Sequence, residues 1–206
     1  MSLPVVHIVD DDEDTRVGIG RLLRAEGYEV RPYESAGHFL LSPPEDGPGC
    51  VILDLQMPGP SGLELQEAMA NRGDSLPVIF LSGHGNIRHS VHAMQRGAVD
   101  FLTKPVDPDE LLRAVKTALA RQRERAAAEQ GQSELAERYA KLTPREREIL
   151  DHLVAGNLNK RIAGLMGTSE RTIKRDRARL MAKMEVTSLA ELVLTAGKLR
   201  RRSAKP

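Results

Sequence analysis

Through the first 120 residues, short apolar runs alternate with stretches where apolar residues recur every three or four positions. Val5–Val9 is an apolar run ending in acids and reads as a buried strand. Residues 14–26 hold Val17, Ile19, Leu22 and Leu23 near helical spacing, and Gly27 stands where a C-cap is wanted. The same reading predicts strands over 28–33, 50–53, 77–81 and 98–102. It predicts helices over 35–41, 61–72 and 86–96, with another beginning near Pro108. Such alternation argues for a parallel sheet covered on both faces. No strand pair is joined by a two-residue hairpin turn, which favours crossovers over meanders.

The helix begun near Pro108 has no early stop, and Gly131 is its first candidate break. Residues 121–141, rich in Ala, Arg and Glu, read as a solvated helical linker. Beyond Lys141 the pattern is all helical. Thr143, Pro144 and Glu146 form a capping box with proline at the first helical position. Ile149, Leu150, Leu153 and Val154 make that helix's apolar face, and Gly156 ends it. A short helix from Asn159 turns Ile162, Ala163, Leu165 and Met166 inward and ends at Gly167. Ser169 caps a third helix bearing Ile173, Leu180, Met181 and Met184. Ser188 caps a fourth with Leu189, Leu192 and Val193. Two helices joined by a tight Gly-Thr-Ser turn make a helix-turn-helix.

Charge sharpens this division. The net charge of +1 over 206 residues conceals −8 through residue 120, +1 over 121–141 and +8 over 142–206. Two domains are implied, 1–120 and 142–206, the second with a polyanionic partner. One cysteine, Cys50, excludes an intrachain disulfide and a multi-Cys zinc site. No apolar run approaches a bilayer span, and the acidic start does not read as a signal peptide, so a cytoplasmic protein is expected. With no Trp, three Phe and three Tyr, a stacking platform for single strands is not expected.

In a doubly wound sheet, function gathers at the carboxyl ends of the strands. Asp10, Asp11 and Asp12 follow the first strand, Asp54 the third, Ser82 the fourth and Lys104 the fifth. Carboxylates gathered at one edge repel unless a cation joins them, and hard oxygen ligands suit Mg²⁺. A carboxylate can itself attack a phosphoryl group. Mg²⁺, an ammonium and a hydroxyl would neutralise the charge that develops. Each residue also has a plain structural reading: aspartates at strand ends commonly cap helices, and Ser82 before Gly83 suits a turn. Their order at successive strand ends is what makes them a candidate site.

V-D-D-D at 9–12, L-D-L-Q-M-P-G at 53–59, S-G-H-G at 82–85 and A-V-D-F-L-T-K-P at 98–105 resemble the receiver domain of two-component response regulators. LTPREREIL at 142–150, NKRIA at 159–163 and SERTIK at 169–174 resemble the LuxR-type DNA-binding module. RARLMAKM at 177–184 with SLAELV at 188–193 is similar to the FixJ-like subfamily. The resemblance implies a flavodoxin-like, five-stranded α/β receiver followed by a small four-helix helix-turn-helix domain. It implies that Asp54 accepts a phosphoryl group from a sensor histidine kinase. Asp10, Asp11, Asp54 and the Gln56 carbonyl would hold Mg²⁺, and Lys104 would pair with phosphoryl oxygens. The Lys104–Pro105 bond would be cis. Ser82 and Phe101 would switch, and Gln56 and His84 would stand at the mouth. Phosphorylation would promote a homodimer, and RNA polymerase is a further implied partner. An aspartate-dependent phosphohydrolase would want a second acid two residues after the nucleophile. Gln56 stands there, so no enzyme is expected.

For the basic half, Arg171, Lys174, Arg175, Ala178 and Arg179 lie away from the apolar stripe of the third helix, which suits entry into the major groove of double-stranded DNA. Lys160, Thr168, Ser169 and Lys183 read as phosphate contacts. Arg200, Arg201 and Arg202 read as a solvated tail. Asp176 stands where the family frequently has His. It is expected to pair with Arg175 or Arg179, or to accept from a cytosine amine.

Overall fold

The computed structural model describes residues 3–42, 47–83 and 87–203. The chain divides into two compact units, Met1–Ala126 and Ala127–Pro206. In the first, strands β1 (Val5–Val9), β2 (Glu29–Tyr33), β3 (Gly49–Asp54), β4 (Val78–Ser82) and β5 (Asp100–Thr103) form one parallel sheet in the order β2-β1-β3-β4-β5. Helices α1 (Glu13–Ala25), α2 (Ala36–Leu41), α3 (Gly62–Arg72), α4 (Ile87–Gln95) and the start of α5 (Pro108–Ala140) provide the crossovers.

The sheet is apolar on both faces because both are covered. Val6 and Ile8 join Ile19 and Leu23 of α1 and Leu111, Val115 and Leu119 of α5. Val9, Leu53 and Phe80 join Phe39 of α2, Leu65 and Met69 of α3 and Ala93 of α4. Strand order reverses between β1 and β3, so the residues following these two strands flank the switch point where doubly wound folds place ligands. The later strands are displaced from the predicted bounds by one or two residues. The register pairs Ser82 with Thr103, so the sheet continues to the edge that carries the chemistry.

Two local signals fix how the chain leaves β3. Gly59, with φ 85°, makes the turn. Ser61 then caps α3, exchanging hydrogen bonds with Glu64 in a capping box. Gly62 follows directly, and a Cβ there would run into the Asp54 carbonyl. Only glycine lets α3 start this close to the end of β3.

In the second unit, the end of α5 is followed by α6 (Pro144–Val154), α7 (Asn159–Leu165), α8 (Glu170–Met184) and α9 (Leu189–Ser203). Their core contains Ile149, Leu150, Leu153, Ile162, Ile173, Leu180, Met184 and Leu192. The box at Thr143, Pro144 and Glu146 forms as the sequence predicts.

Several expectations are corrected. α5 continues through Gly131 without a break. A Cβ at Gly131 would meet nothing, so its helical conformation is set by strong helix formers on either side. The stretch expected as solvated linker is exposed from residue 123 to 134, but Leu135 is buried and Tyr139 packs on the second core. Leu165 is 60 % exposed. α7 has only seven residues, and Ile162, Ala163 and Met166 already occupy its inward arc. Leu189, the first residue of α9, precedes the packed part of that helix and is exposed. Residues 200–202 continue the backbone of α9 instead of forming a tail.

Candidate functional site

At the carboxyl edge of the sheet, Asp10, Asp11 and Asp54 each place a carboxylate oxygen within 4.8 Å of the others. Asp10 and Asp54 are buried, and Asp11 is exposed. The Lys104 ammonium reaches this group from the end of β5. It donates to Asp54 Oδ2 at 3.0 Å and lies 2.7 Å from Asp10 Oδ2. Lys104 thus bridges the two buried carboxylates.

The other lone pairs are fixed by backbone. Asp10 Oδ1 accepts from the Asp12 N–H at 3.0 Å, and Asp54 Oδ1 accepts from the Gln56 N–H at 3.3 Å. Burial pushes the Asp10 carboxyl above its ordinary range, against the pull of Lys104 and the Asp12 N–H. Burial equally opposes the charge on Lys104. The Asp10 and Asp54 carboxylates outweigh it and hold the ammonium above its usual value.

Three acids and one lysine leave an excess of negative charge at this edge, which favours a further cation. The donor set is all oxygen, with Asp11 open to solvent, which fits a hydrated Mg²⁺. Asp12 has a different task. It caps α1, accepting from the Asp14 N–H and, at 2.6 Å, from the Thr15 hydroxyl. The plain reading of an aspartate at a strand end therefore holds for Asp12.

Ser82 is 1 % exposed at the end of β4, and its carbonyl accepts from the Lys104 N–H at 2.8 Å. The Lys104–Pro105 bond is cis. Phe101 is half-buried on β5, its ring 6.4 Å from that of Phe80. Gln56 is exposed in the turn after β3. His84, expected at the mouth, lies outside the described residues. Sequence reasoning missed two supports of the pocket. Arg16 of α1 donates to the Asp10 carbonyl at 2.6 Å, and Gly62 admits α3 against the end of β3. Glycine immediately after a capping serine was a readable hint; nothing in the pattern marked Arg16.

The second candidate surface is on α8. Ser169 caps the helix, accepting from the Thr172 N–H. Arg171, Lys174, Arg175, Ala178 and Arg179 are all exposed, as are Lys160 and Ser169; Thr168 is half-buried. Lys174 forms an exposed i,i+4 pair with Glu170 at 3.2 Å.

Two further residues are engaged within the fold. Lys183 donates to Glu146 Oε2 at 2.7 Å and to the Lys141 carbonyl at 3.3 Å. Burial would raise the Glu146 carboxyl, but Lys183 and Thr143 together hold it below the ordinary range. Asp176 is buried and turned from the exposed face. It pairs with Arg145 of α6, with Arg175 on its other oxygen, and not with Arg179.

Residues 6–116 match the family described as response regulator receiver domain, and residues 140–196 match bacterial regulatory proteins of the luxR family. The transcriptional regulatory protein FixJ of Azorhizobium caulinodans is 43 % identical over 195 residues, covering 95 % of this chain and 92 % of that protein. The response regulator protein TodT of Pseudomonas putida is 39 % identical over 196 residues, covering 95 % and 86 %. Among solved structures, the response regulator StyR is 40 % identical with a TM-score of 0.85, covering 96 % of this chain and all of that one. Full-length FixJ from B. japonicum is 37 % identical with a TM-score of 0.60, covering 96 % and 98 %. Among the described residues, no helix is long and apolar enough to cross a membrane.

Proposed function

This chain belongs to the two-component response regulators of the FixJ-like group, a receiver joined to a LuxR-type DNA-binding domain, and from that premise we propose that phosphorylation of Asp54 governs its grip on DNA. It is a transcriptional regulator and not an enzyme. In this reading a sensor histidine kinase in the cytoplasm supplies the phosphoryl group. An Asp54 carboxylate oxygen attacks phosphorus, and the histidine nitrogen leaves. Asp10, Asp11, Asp54 and the Gln56 carbonyl hold Mg²⁺, which when bound neutralises phosphoryl oxygens. Lys104 moves from the carboxylates to the new phosphoryl oxygens, Ser82 donates to another, and Phe101 turns inward behind it. These changes bias an existing equilibrium towards a dimer.

The dimer then sets two α8 helices in the major grooves of half-sites about one helical turn apart, where RNA polymerase is recruited. Arg171, Lys174, Arg175, Ala178 and Arg179 face the bases. Lys160, Thr168 and Ser169 serve the phosphates, while Lys183 remains a brace of α6 against α8.

The observation that carries the proposal is the convergence of Asp10, Asp11 and Asp54 within 4.8 Å, with the Lys104 ammonium against two of them. Mass spectrometry after treatment with a small phosphodonor tests it. One phosphoryl group is expected on Asp54, not formed when Mg²⁺ is chelated beforehand and absent from Asp54→Asn, with light scattering reporting a doubled mass. Equal labelling of Asp54→Asn would refute the assignment.

A further inference from the structure

Asp10, Asp11 and Asp12 fill the turn between β1 and α1, and that turn aims two of them at Asp54 and the third at α1. Asp10 is held at both ends. Its N–H donates to the Tyr33 carbonyl at 3.2 Å, and its Oδ1 accepts from the Asp12 N–H at 3.0 Å. Asp12 is held by its capping bonds from the Asp14 N–H and the Thr15 hydroxyl. Asp11 is exposed, and among the described residues no hydrogen bond or ion pair holds its carboxylate. Where that carboxylate stands is therefore decided by the main chain on either side of it.

One residue grips the main chain on both sides. The Arg16 N–H donates to the Asp12 carbonyl at 3.1 Å, as the first turn of α1 requires. The half-buried Arg16 side chain reaches back further, and its Nη1 donates to the Asp10 carbonyl at 2.6 Å. That carbonyl lies in the planar peptide unit that leads into Asp11, so this bond fixes the direction in which the Asp11 side chain leaves the turn. A charge-assisted hydrogen bond is roughly twice as strong as a neutral one, and a guanidinium keeps its charge at every working pH. Charge alone would act the other way. A fixed cation held at the Asp10 main chain repels a divalent ion, so an arginine without a positioning role would weaken metal binding at this edge. The two roles predict opposite signs.

We propose that Arg16 is a positioning residue for the metal centre: by fixing the Asp10 carbonyl, it keeps the Asp11 carboxylate in the cluster with Asp10 and Asp54. This rests on the Mg²⁺ reading above and extends it to a residue outside the ligand set.

The Mg²⁺ affinity of the unphosphorylated full-length chain, followed by amide NMR shifts, tests it. Arg16→Met should bind Mg²⁺ about tenfold more weakly than wild type, the lower end of what losing a support behind a metal ligand costs. Arg16→Lys keeps the charge and a donor, and should fall between the two. In the metal-free proteins, the Asp11 and Asp12 amide signals should move in Arg16→Met, while those of Ile8 and Ile52 within the sheet stay in place. Should Arg16→Met fail to fold, Arg16→Lys still decides, since it should bind Mg²⁺ more weakly than wild type at unchanged charge. Affinity equal to or tighter than wild type in either variant, or shifts spread evenly through the sheet, overturns the inference. A wild type that binds no Mg²⁺, or an Asp11→Asn variant that binds it as tightly as wild type, overturns the metal reading itself, which is a different result.

Discussion

The two units handle charge in opposite ways. In the first, three carboxylates gather at the end of a buried sheet, and a single lysine pairs with two of them. In the second, cations spread over the exposed side of α8, and the charges that face inward are matched: Lys183 with Glu146, and Asp176 with Arg145. Concentrated like charge in a low-dielectric place is a state waiting for a counter-charge, and so can be switched by one. Dispersed, solvated charge is tolerated without a partner and serves a long polyanion.

Breaking the first arrangement should have the largest effect. Lys104→Met leaves Asp10 and Asp54 buried together with no cation. Allowing for the partial exposure of Lys104, the loss at neutral pH should be about 3 kcal/mol in urea unfolding of the full chain. Mg²⁺ should restore part of it; no loss, or no response to Mg²⁺, would mean the acids are already neutral.

A second buried group in the same unit is kept uncharged. His7, packed in the sheet and bonded to the Tyr33 hydroxyl at 3.1 Å, has its pKa lowered to about 4 by burial and the nearby Arg31. Unfolding lets this ring return to its ordinary value of 6.5 and take up a proton. Its stability contribution is therefore intact above pH 6.5 and is lost as pH falls towards 4, on the order of 2 kcal/mol. His7→Gln should flatten that part of the stability profile; an unchanged slope would place the titration elsewhere.

In the second unit, graded exposure should give graded effects. Lys183→Met, which leaves the Glu146 carboxylate half-satisfied, should cost about 1 kcal/mol. Lys174→Met, removing an exposed i,i+4 pair, should cost below about 0.5 kcal/mol in stability yet lessen the salt dependence of DNA binding. Equal losses from the two lysines would erase the distinction drawn between brace and contact.

Much of this was readable in advance, for reasons that differ by region. The sheet announces itself because parallel strands buried on both faces leave unbroken apolar runs. The topology then fixes which ends share an edge, so Asp10, Asp54, Ser82 and Lys104 could be grouped from order alone. Spacing alone does not sort three aspartates in a row, since the turn after β1 decides which face the pocket and which caps α1; the family resemblance did sort them, assigning Asp10 and Asp11 to the metal. In the helical unit, local signals such as the box at Thr143 translated directly. Cross-helix pairs did not: Lys183 and Glu146 lie 37 positions apart, and nothing local links them. Asp176 did leave a trace. It lies three residues after Ile173 and four before Leu180, a core spacing occupied by a charge. Leu165 misled because an apolar residue at the end of a one-face helix fits the pattern whether or not the helix is long enough to bury it.

The most direct test is the DNA affinity of one preparation measured by fluorescence anisotropy on its selected duplex, before and after phosphodonor with Mg²⁺, alongside Asp54→Asn. Tightening of tenfold or more in the wild type, and none in Asp54→Asn, is the predicted result. Identical affinities before and after, in a wild type shown by mass to carry the phosphoryl group, would contradict it.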